Sequence, residues 1–478
     1  MRSKLIDRSG RTIVMTQIGK AQHYIDFTQK LRYTDFQKKY FCCEEVFPVE
    51  EYELRLFDNA ICRFTMGLEG LRGFQVHILE YYTVNADSWP LGTSPEDTSL
   101  KDWLQSRIVP KNRAFVEQIL HKFGLSIHDT TGIITACKGL SLNDSFWVVP
   151  AGFQGKFADY NLYENDLDDV LALIAYTSVD TGRKVISSSP ELTTDGALPK
   201  AWRVDAGGNR VLYKGGTSGA ANTGREPYSE FLASAVAERM GLYSVHYDLE
   251  KWQGQLCSTC KAFTNINTSY ASFYSVAKQT EVVDVLRFYF HISDDAFEKI
   301  ASMFVFDSLI INEDRHVTNF GVLRDNASGQ IIGPAPIFDN GYSLFNFVQD
   351  ADMNDLISYH KDKLTALYVP FDDMAAAVMG PLQKEQLRRM IGFHLPRHPL
   401  YNLPEARLGK IEDFLQKRVQ QLLLIPNRDR SAIRDEVGLT NQAASLEDLA
   451  ASAAERAGKH NAQLTPTLKS FEKNKNPR

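Results

Sequence analysis

Residues 293–310, SDDAFEKIASMFVFDSLI, put Phe297, Ile300, Phe304 and the next residue, Ile311, at helical spacing. Ser293 suits the cap, and Asp294 and Asp295 suit the first turn. A helix this apolar must be buried, so the segment after it starts from a fixed point. That segment is NEDRHVTNFG, residues 312–321, which crowds an acid, two bases and an amide into a few positions. A loop built only to turn a corner does not need that inventory. The next stretch, FGVLRDNASGQIIGPAPIFDNG, reads as two short extended runs around the turn DNASG. A polar loop pinned between a buried helix and a hairpin constrains this chain more than any other feature.

The flanking elements read more plainly. ISSSPELTTDGALPKAWRVDAGGNRVLYKGG gives a loop, a strand, a DAGGN turn and a second strand. EPYSEFLASAVAERMGL is a predicted helix with Tyr228, Phe231, Leu232, Ala235 and Val236 on one face, closed by Gly241. Further helices run to about residue 425, ending with IEDFLQKRVQQLLLI. Before residue 180, short aromatic and β-branched runs alternate with helical ones. GFQVHILEYYTV (73–84) reads as strand, and 99–125 as helix, a break at Pro110, then helix to near Gly124. Beyond 427 the chain is polar: LEDLAASAAERAG reads as a solitary helix and KHNAQLTPTLKSFEKNKNPR as disordered. The expected division is a mixed α/β region over 1–180, a second domain over 181–426 and a largely disordered tail over 427–478.

Bulk properties remove several function classes. A chain of 478 residues is too long for one ordinary core. Its net charge of −6 does not suit a cationic nucleic-acid binder. Six cysteines in this length are no disulfide framework, and Cys257-x-x-Cys260 is half a zinc site without a partner pair. MRSKLIDRSGR has no apolar signal core, and no apolar run nears the roughly 18 residues of a membrane span. The expected compartment is the cytoplasm, with neither membrane nor direct nucleic-acid contact.

The opening loop carries the chemistry. Asp314 and Asn319 have the spacing D-x-x-x-x-N, in which an acid orients a hydroxyl and an amide reaches a Mg²⁺ on the phosphates. Asp339, in PIFDNGYSLF, stands after an extended run and supplies a second carboxylate for that metal. Upstream, Lys214 lies on a predicted strand, where it can neutralise nucleotide phosphates. The next helix offers Glu226, Glu230 and Glu238 to hold it, and Glu230, in the first turns, is the choice. Gly196 and Lys200 precede that strand, in a loop whose amides can cap phosphate oxygens. Each residue alone fits a turn, a cap or an exposed strand position. In this order they describe a phosphotransfer site. Arg315 and His316 read only as partners for Asp314 or nearby carbonyls.

TTDGALPKAW, VLYKGG, SEFLASAVAERMGL, NEDRHVTNFG and PIFDNGYSL together resemble the HipA-like serine/threonine kinases, bacterial toxin kinases distantly similar to phosphoinositide kinases. The resemblance covers roughly residues 185–425. It implies an α+β, two-lobed protein-kinase-like fold with a β-rich N-lobe and a helical C-lobe, preceded by the N-terminal elaboration. It implies catalysis by Asp314, Mg²⁺ on Asn319 and Asp339, and ATP phosphates on Lys214, supported by Glu230 and the loop residues Thr193, Gly196 and Lys200. It places His316 and Phe320 in a D-x-H-x-x-N-F motif, and puts Thr193 where the family autophosphorylates a serine. A protein substrate and a small antitoxin partner are implied by the same resemblance. Two departures stand out from ordinary protein kinases: the basic residues follow Asp314, and Asp339-Asn340-Gly341 replaces D-F-G. A lipid or small-molecule kinase of this fold, a pseudokinase and a DNA-associated regulator are the rival readings.

Overall fold

The computed structural model describes residues 2–6, 12–16, 50–185, 189–218 and 224–439. The chain forms two compact units, Met1–Val49 and Glu50–Arg478. In the first, β1 (Arg2–Ile6) and β2 (Thr12–Thr16) pair antiparallel, Ser3 with Met15 and Leu5 with Ile13.

The second unit opens with an antiparallel sheet of β3 (Glu51–Leu56), β4 (Asn59–Leu68), β5 (Phe74–Tyr81) and β6 (Phe146–Pro150), ordered β5-β4-β3-β6. Cys62, Phe64 and Met66 of β4 point inward at the strand's two-residue period, while Arg63 and Thr65 are half-buried. They pack with Trp89 and with Leu100, Trp103 and Leu104 of α1 (Asp97–Gln105). A neighbouring cluster gathers α2 (Val116–His121), α3 (Thr130–Cys137) and α4 (Asp169–Thr177) through Ile119, Ile133, Leu171 and Ile174. The two helices expected over 99–125, either side of a break at Pro110, are α1 and α2, both shorter than the reading gave. A loop separates them, and it ends at Phe115, whose backbone is left-handed at φ +60°.

A second antiparallel sheet contains β7 (Lys200–Val204), β8 (Arg210–Gly215), β9 (Asp248–Trp252) and β10 (Gln255–Lys261), ordered β7-β8-β10-β9. The DAGGN turn folds as expected: the Asp205 carboxylate accepts from the amides of Gly207 (2.9 Å) and Asn209 (2.8 Å). Helix α5 (Glu226–Met240) packs on β8, β9 and β10 and ends at Gly241, φ +76°. Its buried face differs from the expected one. Tyr228, Phe231 and Ala235 are only partly buried, whereas Glu226, Ser229, Glu230, Ala233, Ala237 and Met240 are buried beside Leu232 and Val236. Hydrophobic periodicity misplaces the stripe because two carboxylates with tertiary partners occupy the inner face.

The rest is mainly helical. A three-stranded antiparallel sheet, β11 (Thr268–Ser272), β12 (Gly321–Asp325) and β13 (Ile331–Pro334), carries the predicted hairpin. Around it lie α6 (Phe273–Ala277), α7 (Val282–Ile292), α8 (Asp294–Ile310), α9 (Leu356–Lys361), α10 (Phe371–Val378), α11 (Pro381–Arg388), α12 (Glu405–Leu424) and α13 (Arg430–Glu436). Ser293 caps α8 by accepting the Ala296 amide at 3.0 Å. Every α8 residue from Ile300 to Ile310 is buried, with α7, α10, α11 and α12 packed against it. Each fully buried Ile or Phe contributes about 2 kcal/mol, so α8 is an anchor that does not move on its own. Ile433 and Val437, at the chain's described C-terminal end, join the same core. The segments predicted as a solitary helix and a disordered end, 446–458 and 459–478, lie outside the described residues. Among the described residues no helix is long and apolar enough to cross a membrane.

Candidate active site

The loop after α8 is fastened from below. Asp307 is the lone acid in the apolar run FVFDSLI and is buried. It takes the Arg315 guanidinium in a two-point ion pair, Nε to Oδ2 at 3.0 Å and Nη2 to Oδ1 at 3.1 Å. The Asn312 amide donates to the same carboxylate at 3.1 Å. Arg315 also donates to the carbonyls of Asn319 (3.2 Å) and Phe338 and to the Asn340 side chain. One side chain therefore joins helix α8, the loop and the 338–340 segment. Sequence reasoning gave Arg315 no such task and overlooked Asp307. The signal was an unexplained acid inside a buried helical run.

Above this clamp, the Asn319 amide nitrogen donates to the Asp314 carbonyl at 2.9 Å. That leaves the Asn319 side-chain oxygen as its acceptor. Phe320 holds the loop's end by stacking on Phe273, with ring centroids 5.6 Å apart. The Asp314 carboxylate is 41% exposed, open enough to meet a substrate. Burial raises its pKa, with Asp339 adding to the rise and His316 and Lys214 opposing it. His316 Nε2 lies 3.8 Å from Asp314 Oδ1, and its Nδ1 shares a 2.6 Å hydrogen bond with the Thr318 hydroxyl.

The second sheet brings the cations. Lys214, near the end of β8, donates to Glu230 Oε1 at 2.7 Å and to Asp339 Oδ1. Glu230 is the partner chosen from the sequence. Glu238 is exposed, and Glu226 instead accepts the Thr217 amide at 3.1 Å. Burial works against the Lys214 charge, but Asp339 and Glu230 outweigh it and hold its pKa above the ordinary lysine range. For Asp339, burial is likewise outweighed, by Lys214 and then Lys200, and its pKa falls below the carboxylate range. Burial pushes Glu230 upward, against the effect of Lys214. With Lys214 on one oxygen and the Asn340 amide on the other at 2.7 Å, the geometry favours the ionised form. Asp339 adopts a left-handed backbone, φ +56°, and its amide donates to the Tyr247 hydroxyl at 3.2 Å. Gly341 packs closely on the same helix: a Cβ there would lie 3.3 Å from Glu230 Oε1 and 3.4 Å from Glu226 Cβ, so a side chain would press on both.

Lys200 belongs to β7 and pairs directly with Lys214 across the strands. Its ammonium is buried and donates to the Asp195 carbonyl at 2.7 Å. Burial, then Arg113 and Lys214, lower its pKa to about 7. Gly196 has φ +88°, and a Cβ there would sit 2.2 Å from Lys200 Nζ, so only glycine lets the loop close over that amine. The Gly196 amide donates to its neighbour's Asp195 carboxylate at 2.6 Å. Thr193 is not brought to the cluster. Its hydroxyl is buried and donates to the carbonyls of Leu140 (2.8 Å) and Pro190 (3.2 Å).

No family model matches the chain, and no curated protein matches it. Among solved structures, the Helicobacter pylori proinflammatory kinase CtkA aligns over 52% of this chain and 95% of its own, at 19% identity and a TM-score of 0.37. HipA of Shewanella oneidensis MR-1, from a toxin–antitoxin complex with HipB and operator DNA, aligns over 84% of this chain and 97% of its own, at 14% identity and a TM-score of 0.43. The chain resembles the HipA-like kinases.

That geometry suits a nucleotide with Mg²⁺. Magnesium takes oxygen ligands, usually one or two from protein with phosphates and water completing the shell. Asp339 remains 30% exposed despite its bond to Lys214, and Asn319 is tied by its nitrogen rather than its oxygen. Among the described residues no cluster of three or more His, Cys, Asp or Glu could hold a metal alone. A site that relies on phosphate oxygens to complete the shell needs no such cluster.

Proposed function

We propose that the chain is an ATP- and Mg²⁺-dependent kinase that transfers the γ-phosphate to a Ser or Thr hydroxyl of a protein. The observation that carries this reading is the Lys200–Lys214 pair. Like charges directly opposite on neighbouring strands repel, and burial sharpens the repulsion. Glu230 and Asp339 bond Lys214 directly, whereas the Lys200 ammonium donates to a carbonyl and feels Asp339 and Asp195 only through space. A polyphosphate resolves the imbalance.

In this reading the chain is two-lobed, with the sheet of β7–β10 and α5 on one side and the helices around α8 on the other. Residues 181–426 are the kinase unit, 1–180 an N-terminal region and 427–478 a tail. Lys214 and Lys200 bind phosphate oxygens, while Glu230 fixes the Lys214 amine. Asn319 and Asp339 would hold Mg²⁺, which supplies charge neutralisation on the phosphates. Asp314 orients the acceptor hydroxyl and takes its proton, with a carboxylate pKa raised towards that task. Arg315 keeps Asp314 and Asn319 aimed at one point, so much of the rate comes from positioning. By resemblance, a small antitoxin is the expected partner; the composition makes the cytoplasm the expected compartment.

The test is mass spectrometry of wild type and Asp314→Ala after incubation with Mg-ATP. A gain of ~80 Da, one phosphate group, on wild type only is expected. Because the Thr193 hydroxyl faces Leu140 and Pro190, phosphate there requires segment 193–196 to leave its seat. Equal phosphate on both proteins would overturn the role of Asp314. Mg-ATP binding without phosphate on either would turn the reading towards a small-molecule acceptor.

A further inference from the structure

Segment 107–114 precedes the kinase unit in sequence but runs along the loop that closes over Lys200. Two backbone bonds stitch them together: Val109 donates to the Leu192 carbonyl at 2.7 Å, and Ala114 to the Ala197 carbonyl at 2.8 Å. Between them the Arg113 side chain is wholly buried. Its Nη1 donates to the Thr194 carbonyl at 3.1 Å, and its Nη2 to the Lys200 carbonyl at 2.7 Å and to Glu191 Oε2 at 3.0 Å. The other Glu191 oxygen accepts the Trp202 amide at 2.8 Å, so the same carboxylate also fixes the start of β7. The guanidinium therefore grips the loop on both sides of Gly196, before it at Thr194 and after it at Lys200.

We propose that Arg113, supplied from outside the kinase unit, is a positioning residue that holds the 193–200 loop in its phosphate-receiving shape. The inference rests on the proposed kinase function and extends it to the N-terminal region. The physical reason is geometric. Gly196 at φ +88° places the chain against the Lys200 amine; local bonds hold Thr193 and Thr194 to the Pro190 carbonyl and Lys200 to the Asp195 carbonyl, and Arg113 ties the two sides of Gly196 to one group. A planar fork with several donors can hold three acceptors at once, which an ammonium on a flexible stem does not do. The Arg113 charge is also felt at the Lys200 amine, whose pKa it helps to lower, while Glu191 pairs with Arg113 directly. Arg113 itself does not touch the nucleotide, and acts through Lys200 and the loop backbone.

The experiment compares full-length wild type, Arg113→Met and Arg113→Lys by calorimetric titration with Mg-ATP and with adenosine, which lacks phosphates. Arg113→Met is expected to bind Mg-ATP at least tenfold more weakly and adenosine as wild type does. In steady-state assays its KM for ATP rises more than its kcat falls. Arg113→Lys keeps the charge, loses the fork and is expected to lie nearer Met than wild type. If Arg113→Met fails to fold, Arg113→Lys is read by the same criterion. Mg-ATP affinity unchanged in the folded variant, or lost in step with adenosine affinity, would overturn the proposal. A wild type that binds neither ligand would remove the kinase reading as well.

Discussion

Two halves of the site are built on opposite principles. The loop bearing Asp314 and Asn319 has its buried charge answered within the protein: Arg315 is met by Asp307, three carbonyls and Asn340. The half bearing Lys200 and Lys214 is unevenly bonded, with two amines opposite each other and both direct carboxylate bonds made to Lys214. A closed network fixes geometry, whereas an open one stores a demand for a ligand. In the proposed kinase, catalysis by positioning would need the first where proton and hydroxyl meet, and the second where a polyanion arrives.

Substitutions in each half are expected to part company. Asp314→Ala should lower phosphate transfer about 1,000-fold or more, because it removes the hydroxyl-orienting carboxylate. The residue is partly exposed and structurally lightly used, so circular dichroism should show an unchanged fold. A folded, fully active variant would break the assignment. Arg315→Met leaves Asp307 buried without its cation, and equilibrium urea unfolding should show a loss of about 3–5 kcal/mol. An unchanged midpoint would mean the closed half is not held by this clamp.

Lys200→Met should do the reverse. Replacing a buried, poorly compensated amine is expected to raise stability by about 1 kcal/mol or more, while Mg-ATP affinity falls about tenfold. Loss of both would place Lys200 with the structural residues. The finest test is protonic. Lys200 has a folded pKa of about 7, below its ordinary value, under burial, Arg113 and Lys214, with Asp339 and Asp195 opposing. The unfolded chain then binds more protons between about pH 7 and 10, so this group makes stability rise with pH across that window. A bound phosphate reverses the preference. At pH 8, Mg-ATP binding should draw in up to about one proton, read from calorimetry in buffers of different ionisation enthalpy. Lys200→Met should abolish the uptake.

The sequence showed one half of this contrast better than the other. Ser293, the α8 run, the polar loop and the hairpin were legible because local spacing encodes them. Glu230 was separable from Glu226 and Glu238 by its place on the helix alone. The inner face of α5 was misread, since buried carboxylates look like solvent-facing ones until their partners are known. Lys200 was assigned to a loop and lies on a strand. Arg315 and Asp307, eight residues apart, were passed over because their pairing depends on how the loop folds back under α8. Arg113 was invisible for a simpler reason: Glu191 lies 78 positions away. Where Thr193 points is set by Leu140, 53 positions away.

The left-handed backbone at Asp339 has a consequence for how such a site can be lost. Few residues accept φ +56° without strain, chiefly Gly and Asn besides Asp itself. Both are a single base change from an aspartate codon. Either would keep the turn, the Arg315 contacts and the core beneath, while removing the carboxylate. The position is therefore a point of silent retirement. A lineage that no longer needs the chemistry can discard it in one mutational step and keep a well-folded protein for other work.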